Sequence, residues 1–275
     1  MDKNGIYYIP LKRIMNGQEF AEIYDSTEEF DALYNDIARG LLPTTSQINP
    51  DEFVAHFTKI LEKEKEGDII HISLSSGLSG SHNSAVIAAE IINKTIKDRK
   101  IYAFDSLGAT GTQMMLIDKF MELRGQTSTE DAIKQVEEIR ANQQIFFLVD
   151  DLFHLKRGGR LSVTKAIFGT LLGVKPILIL NNEGKIVIEN TIRSNTKAVK
   201  YLLDMLKTHH YKDGTTVYIM RSTENNNYSL LKKLIIEKYP DIPKKEAIVG
   251  PIIGAHLGCG VAAVIFQGDK RTTKK

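Results

Sequence analysis

The sequence predicts an α/β protein in two domains. An N-terminal parallel-sheet domain with flanking helices spans residues 1–142, and a C-terminal α/β domain with a mixed sheet spans residues 143–275. Three observations carry this. A strand, a loop of small residues and a helix follow one another twice, from Asp68–Ser73 and again from Lys100–Phe104, the pattern of parallel strands joined by helices. Beyond residue 143 the pattern changes to a strand pair around Asn182-Glu183-Gly184, then further helices and strands. The length of 275 residues, with 42% hydrophobic and 25% charged residues, suits one large or two ordinary globular domains. Ligands of such sheets sit outside the carboxyl ends of the strands, so a ligand cleft is expected between the domains, at the small-residue loops.

The elements follow in order. Ile6–Ile9 and Leu11–Met15 are rich in β-formers, and Asn16-Gly17 predicts a hairpin turn. Ser26 or Thr27 caps a helix with Phe30, Leu33, Tyr34 and Ile37 on one face, which Gly40 stops. Leu42–Gln47 reads as a polar loop. Asn49-Pro50-Asp51-Glu52 then opens a helix with Phe53, Phe57, Ile60 and Leu61 on its buried stripe. The strand Asp68–Ser73 leads through a serine- and glycine-rich loop into a helix bearing Ala85, Ala88 and Ile91. The strand Lys100–Phe104, the loop Asp105–Gly111 and a helix over Met114–Arg124 repeat the unit. A helix from Ser128 to about Asn142 and a buried strand over Ile145–Val149 follow.

In the second half, Lys156-Arg157-Gly158-Gly159-Arg160 separates two apolar helical pieces. Lys175–Leu180 and Lys185–Ile192 form a strand pair. A helix near Thr196–Lys207, a strand near Thr216–Met220, a helix near Tyr228–Lys238 and a closing strand near Val261–Phe266 complete the chain. Gly250–Phe266 reads as a buried glycine-rich turn plus strand, too short for the ~20 apolar residues of a membrane span.

Composition excludes several classes. The formal net charge of +2 gives no strong field for nucleic acid or anionic lipid. The basic tail Lys270, Arg271, Lys274 and Lys275 reads as a solvated end. One cysteine, Cys259, rules out an internal disulfide or a cysteine-rich metal site and fits a reducing cytoplasm. No apolar signal core opens the chain, so a soluble cytoplasmic protein without stable membrane insertion is expected.

Several loops hold candidate chemistry. Ser75-Ser76-Gly77-Leu78-Ser79-Gly80-Ser81 presents hydroxyls and free backbone N–H groups, which suit an anion and suit a helix cap with a tight turn equally well. It lacks the final glycine of a hydrolase elbow, and the chain contains neither a Walker loop nor G-x-G-x-x-G. Thr44-Thr45-Ser46 offers three hydroxyls that turn chemistry alone would explain. Asp105-Ser106 follows a strand end, where the acid can cap the next turn. Arg160, after Gly158-Gly159, can aim inward to pair with a carboxylate or a carbonyl, although a basic surface turn is the commoner use of such a run. His256 lies among small residues, where a satisfied core histidine is the commoner case, and no second ligand stands at metal spacing. Hydroxyls and backbone donors around a cleft, with no legible triad, describe a binding site for a small anion better than an active site.

Taken in order, the motifs resemble the DegV family of fatty-acid-binding proteins. The resemblance rests on Thr45-Ser46-Gln47 before Asn49–Phe53, on Ile72–Ser81, on Leu152–Ser162 with Leu172–Ile177, and on Gly250–His256, together with Asp105-Ser106. It implies a two-domain α/β protein holding a long-chain fatty acid in a buried tunnel as its only ligand, with no cofactor. It also implies an acyl-carrier subunit that presents the carboxylate to an ATP-dependent fatty acid kinase subunit, feeding phospholipid synthesis. On that pattern Thr45 and Ser79, with Ser76 as the other possibility, hydrogen-bond the carboxylate. His256, Arg160 and Arg193 orient the head group or support docking of the partner, with Ser46, Asp105 and Ser106 in support.

Two departures from the family stand out. Its members usually begin with an apolar strand ending in T-D-S ahead of the Ile6–Leu11 segment; such a strand is not legible here, which predicts open sheet edges. Ser81-His82-Asn83 stands where a threonine or serine followed by an aromatic is commoner, which predicts an altered pocket wall. Two other readings compete. One is an enzyme or binding protein for a small phosphorylated metabolite using the Ser76–Ser81 loop; the other is an interaction module with a vestigial cleft. Polar walls around Ser79 would favour the metabolite, and a long apolar tunnel the lipid.

Overall fold

A computed structural model describes residues 5–22, 27–150, 152–161 and 173–271. The first half begins with a hairpin, β1 (Lys12–Met15) and β2 (Gln18–Ala21), around Asn16 and Gly17 at φ +51° and +76°. Positive φ at both central residues matches the twist of a two-residue hairpin turn. Ile6–Ile9 does not continue the ladder as a strand, and the start of α1 (Thr27–Ala38) adjoins Ser26, which lies outside the described residues.

The expected polar loop after α1 is instead a strand. In β3 (Thr44–Ser46) Thr45 lies opposite Arg13 of β1. Tertiary pairing along an otherwise open edge overrides the turn propensity of Thr-Thr-Ser. The helix α2 (Pro50–Lys63) carries a complete capping box between Asn49 and Glu52. The parallel sheet itself has two strands, β4 (Ile69–Ser73) and β5 (Ile101–Asp105), with α3 (Ser81–Asn93), α4 (Gly111–Leu123) and α5 (Thr129–Ala141) around it. Phe53 and Phe57 of α2 set their rings edge-on against His71 of β4.

The second half is built on a six-stranded sheet. Its members are β6 (Gln143–Leu148), β7 (Lys175–Leu180), β8 (Ile186–Ile192), β9 (Val217–Arg221), β10 (Lys244–Ile248) and β11 (Ala262–Gln267). The spatial order is β10-β9-β11-β6-β7-β8, with only β10 and β9 parallel. β10 carries lysines and a glutamate on an exposed edge, so it lacks the apolar run that marks the inner strands. Helices of this half include α6 (Phe153–Arg157), α7 (Asn195–Thr208) and α8 (Asn226–Lys238). The apolar piece expected beyond Arg160 falls mostly on residues 162–172, outside the described residues.

The inner strands read as continuous apolar runs because both faces of this sheet are covered, and alternate residues serve different faces. Phe146, Leu148, Val264 and Phe266 face α7 and α8, where Val199, Leu202, Leu231 and Ile235 are fully buried. Ile145, Phe147, Leu180, Tyr218, Met220 and Ala263 face the first half.

The glycine-rich turn expected at residue 250 is in fact a short helix, α9 (Pro251–Leu257), with Pro251 at its first position. The first half fastens it. Tyr34 Oη donates to Val249 O (2.6 Å), and Ile252 N donates to Glu22 Oε1 (2.8 Å).

Candidate functional site

A partly enclosed cavity lies between the six-stranded sheet and the first half. Its wall on the sheet side is apolar, formed by Ile145, Phe147, Leu180, Ile186, Met220 and Ala263. Its polar groups come from Thr45, Ser46, Gln47, Ser79, Arg160 and His256. These groups touch one another. Thr45 Oγ1 lies 2.8 Å from His256 Nε2. Ser79 Oγ accepts from Ser81 N at 3.2 Å, and the Gln47 carboxamide fills the space a side chain at residue 80 would need.

Each polar group has a positioning element. β3, anchored on β1, presents Thr45 and Ser46 to the cavity. The C-terminal turn of α9 presents His256. Ser79 sits in the tight turn that enters α3, where Ser81 Oγ accepts from Ile48 N at 3.3 Å and so ties this loop to the segment after β3. Arg160 donates from Nε to Leu78 O (3.1 Å) and from Nη1 to Gly158 O (2.6 Å). Its guanidinium therefore bridges the two halves beside the cavity, aimed at carbonyls.

His256 is neutral at pH 7. Burial, with the charges of Arg160 and Arg157 nearby, holds its pKa down to about 4. Its Nδ1 is buried with no hydrogen-bond partner among the described residues, and a Cβ on residue 158 would lie 2.3 Å from it. Gly158 is thus the residue that lets the ring pack there. An unpaired buried lone pair is easier to accommodate than an unpaired N–H, which places the proton on Nε2. In that tautomer Nε2–H donates to Thr45 Oγ1, and the threonine hydroxyl hydrogen is free for another acceptor.

The remaining predicted residues lie apart from the cavity. Ser76 is exposed, and its N–H donates to Asp105 Oδ1 (3.1 Å), which also accepts from Leu107 N (2.9 Å). Asp105 is a clasp between two loops. Ser106 is fully buried; its Oγ donates to Gly108 O and accepts from Gly108 N, both at 3.1 Å. Arg193 is exposed just beyond β8, at the strand end opposite Ile186 and so about 20 Å from that part of the cavity wall. The altered Ser81-His82-Asn83 segment does not line the cavity; His82 Nδ1 instead pairs with Ser73 Oγ at 2.7 Å.

Two polar lining residues escaped sequence reasoning. Gln47 was legible only as the end of a motif. Thr110, before α4, has φ +54° and ψ −121°, a strained geometry that no local sequence signal announces.

The family model described as "Uncharacterised protein, DegV family" matches residues 1–269. The chain belongs to the DegV family. A DegV domain-containing protein of Clostridium perfringens is 33% identical over 269 residues, covering 97% of this chain and 91% of that protein. The crystal structure of DegV from Bacillus subtilis, a fatty acid binding protein, superposes with a TM-score of 0.79 at 31% identity, covering 95% of this chain and 91% of that one. The Fatty Acid Kinase (Fak) B3 protein of Streptococcus pneumoniae, loaded with linoleic acid, shares the fold with a TM-score of 0.81 at 22% identity, covering 94% of this chain and 90% of that one. The DegV likeness thus runs through both halves and includes every segment that frames the cavity. Among the described residues no helix is long and apolar enough to cross a membrane.

Proposed function

We propose that the cavity takes the acyl chain of a long-chain fatty acid, with its carboxylate between Thr45 and Ser79, and that the protein acts as a carrier and not as a catalyst. The observation that carries this reading is the combination of an apolar wall with one cluster of neutral hydroxyl donors held in place by His256. Burying ~16 methylenes at ~0.8 kcal/mol each contributes roughly 13 kcal/mol gross, before ordering costs. The chain supplies affinity, and the head needs donors so that its charge is not stranded. In the relay His256 Nε2–H to Thr45 Oγ1–H to carboxylate, each group donates once along one direction.

Neutral donors hold a carboxylate less firmly than a bidentate arginine, which suits a group that must later accept a phosphoryl. We therefore extend the reading to presentation of the carboxylate to a separate ATP-dependent kinase subunit in a cytoplasmic setting. The kinase name carried by the S. pneumoniae neighbour supports this. Ser46 and Arg160 border the head group in this reading. Exposed Ser76 and Arg193 are assigned to partner docking, and Asp105 and Ser106 to loop support. The division near residue 143, where the six-stranded sheet begins, is taken as the domain boundary. The apolar wall favours the lipid over a small phosphorylated metabolite.

Extraction and mass spectrometry of the purified protein test this reading. The wild type is expected to carry a C14–C18 fatty acid near stoichiometry, and Ser79→Ala to carry at least tenfold less. Ligand-free wild type that also rejects added fatty acid overturns it.

A further inference from the structure

The basic tail at residues 270–275 reads in the sequence as a solvated end, but Arg271 is an internal strap. Its Nη1 donates to Leu107 O at 2.6 Å and reaches Asn181 O at 3.4 Å, and its Nη2 donates to Arg140 O at 2.9 Å. One guanidinium thus joins the β5–α4 loop, the β7–β8 turn and the end of α5. Burial, with Arg140 nearby, lowers its pKa to about 10, so it remains charged at pH 7. The family match ends at residue 269, before it.

Two of the three strapped segments border the cavity. The β5–α4 loop continues into Ala109 and Thr110, which line it, and the β7–β8 turn lies between Leu180 and Ile186, which line it too. The loop is held in an uncommon backbone: Leu107 at φ +44° and Thr110 at φ +54° are both non-glycine residues in the left-handed region. Such geometry persists only where surrounding structure over-determines it. The β7–β8 turn packs closely on both cleft loops, with Gly184 against the Leu107 backbone and Gly77 against Glu183. Ser75 Oγ donates to Gly184 O at 2.9 Å, and Cβ atoms on residues 77 and 184 would collide with Glu183 O and with Ser75 Oγ.

We propose that Arg271 is a positioning residue for the cavity: it locks the left-handed β5–α4 loop against the β7–β8 turn, and so keeps the wall from Ala109–Thr110 to Leu180–Ile186 closed around a bound chain. The part concerning a bound chain rests on the fatty-acid reading; the part concerning the loop does not.

A double-mutant cycle between Arg271→Gln and Leu107→Gly tests it. Glycine adopts positive φ without strain, so a loop that already favours its conformation needs the strap less. The first readout is amide hydrogen exchange of residues 107–111 in the ligand-free protein. Arg271→Gln is expected to speed exchange there at least tenfold, and by no more than about threefold in the Leu107→Gly background. Arg271→Lys, which keeps the charge but loses the fork, should fall between. The second readout is dissociation of the fluorescent fatty acid cis-parinaric acid, expected at least fivefold faster in Arg271→Gln and close to wild type in the double variant.

Exchange unchanged by Arg271→Gln, or quickened equally in both backgrounds, overturns the strap. A strap shown by exchange with unaltered dissociation from a binding-competent protein overturns its role in closure. Wild type that does not bind cis-parinaric acid counts against the fatty-acid reading and the closure role that rests on it, while exchange still decides the strap itself. A variant that loses its cooperative unfolding transition is replaced by Arg271→Lys in the same cycle.

Discussion

The two faces of the six-stranded sheet are made of the same residue types in alternation, yet one is solid core and the other is a cavity wall. On the first face, α7 and α8 supply a continuous apolar layer, and Phe146, Leu148, Val264 and Phe266 are filled around completely. On the second, the cover is assembled from short pieces: β3, α9 and two loops. Their mutual fastening is polar or backbone to backbone, through Tyr34 and Val249, Glu22 and Ile252, Arg160 and Leu78. Long amphipathic helices can follow a twisted sheet closely. Pieces a few residues long leave space that side chains do not fill. A binding site arises here from how one sheet face is covered, with no change in the strands themselves.

The largest expected effect lies on the solid face. Leu202→Ala removes a fully buried side chain from α7 and should lower the free energy of unfolding by about 2–5 kcal/mol in urea titrations. A loss below ~1 kcal/mol would mean that this face also holds unfilled space, and would break the contrast.

The next effect concerns the fastening of the cavity cover. Burial raises the Glu22 pKa to about 8, against which the Ile252 N–H pulls only partly. The folded state therefore binds a proton that the unfolded state has released, and this contribution to stability is present below about pH 4.5 and lost as pH rises through 8. Glu22→Gln keeps an acceptor for Ile252 and should raise stability at pH 9 by roughly 2–4 kcal/mol, with little change at pH 5. The opposite limb comes from His71 and His256, both held neutral with pKa values down to about 4, chiefly by burial. Their contribution is complete above about pH 6.5 and is lost as pH falls toward 4. Thermal unfolding from pH 4 to 9 checks both limbs.

The smallest stability effect should come from the cavity wall. Ala263→Leu extends a side chain from β11 toward the cavity that Ala263 lines. It should change unfolding by less than about 1 kcal/mol, because overpacking costs more only where neighbours are already in contact. On the carrier reading, mass spectrometry should then recover shorter acyl chains. A large destabilisation would show that the two faces are packed alike.

Much of this was legible in the sequence because local signals agreed with the fold. The Asn49–Glu52 capping box, the Asn16-Gly17 turn and the apolar inner strands all formed where their chemistry predicts. The parts that were not legible depend on contacts distant in sequence. β3 exists because β1 offers an edge, α9 because Glu22 and Tyr34 receive it, and β10 because β9 accepts a charged parallel neighbour. In the candidate site, Thr45, Ser79 and His256 stood out through ordered motifs. Their meeting around one cavity, the neutral state of His256 and the separation of Ser76, Ser106 and Arg193 from that cavity are tertiary facts. The buried role of Arg271 had no signal either, since a lysine- and arginine-rich end reads as solvated whichever way one side chain turns.

The strand order has a consequence for synthesis. β11, the last strand in chain order, sits near the centre of the sheet, setting Leu148 opposite Ala262 on one side and Met220 opposite Ala263 on the other. While the chain is still emerging from the ribosome, β6 and β9 can each be made with the edges that β11 will cover left open. Contacts of such long sequence separation form late and slowly. The cavity wall therefore lacks the strip that Ala263 supplies, and its neighbouring strands stay unjoined, until residues 262–267 have been made. Until then the two open edges are the segments most in need of protection from pairing with other nascent chains.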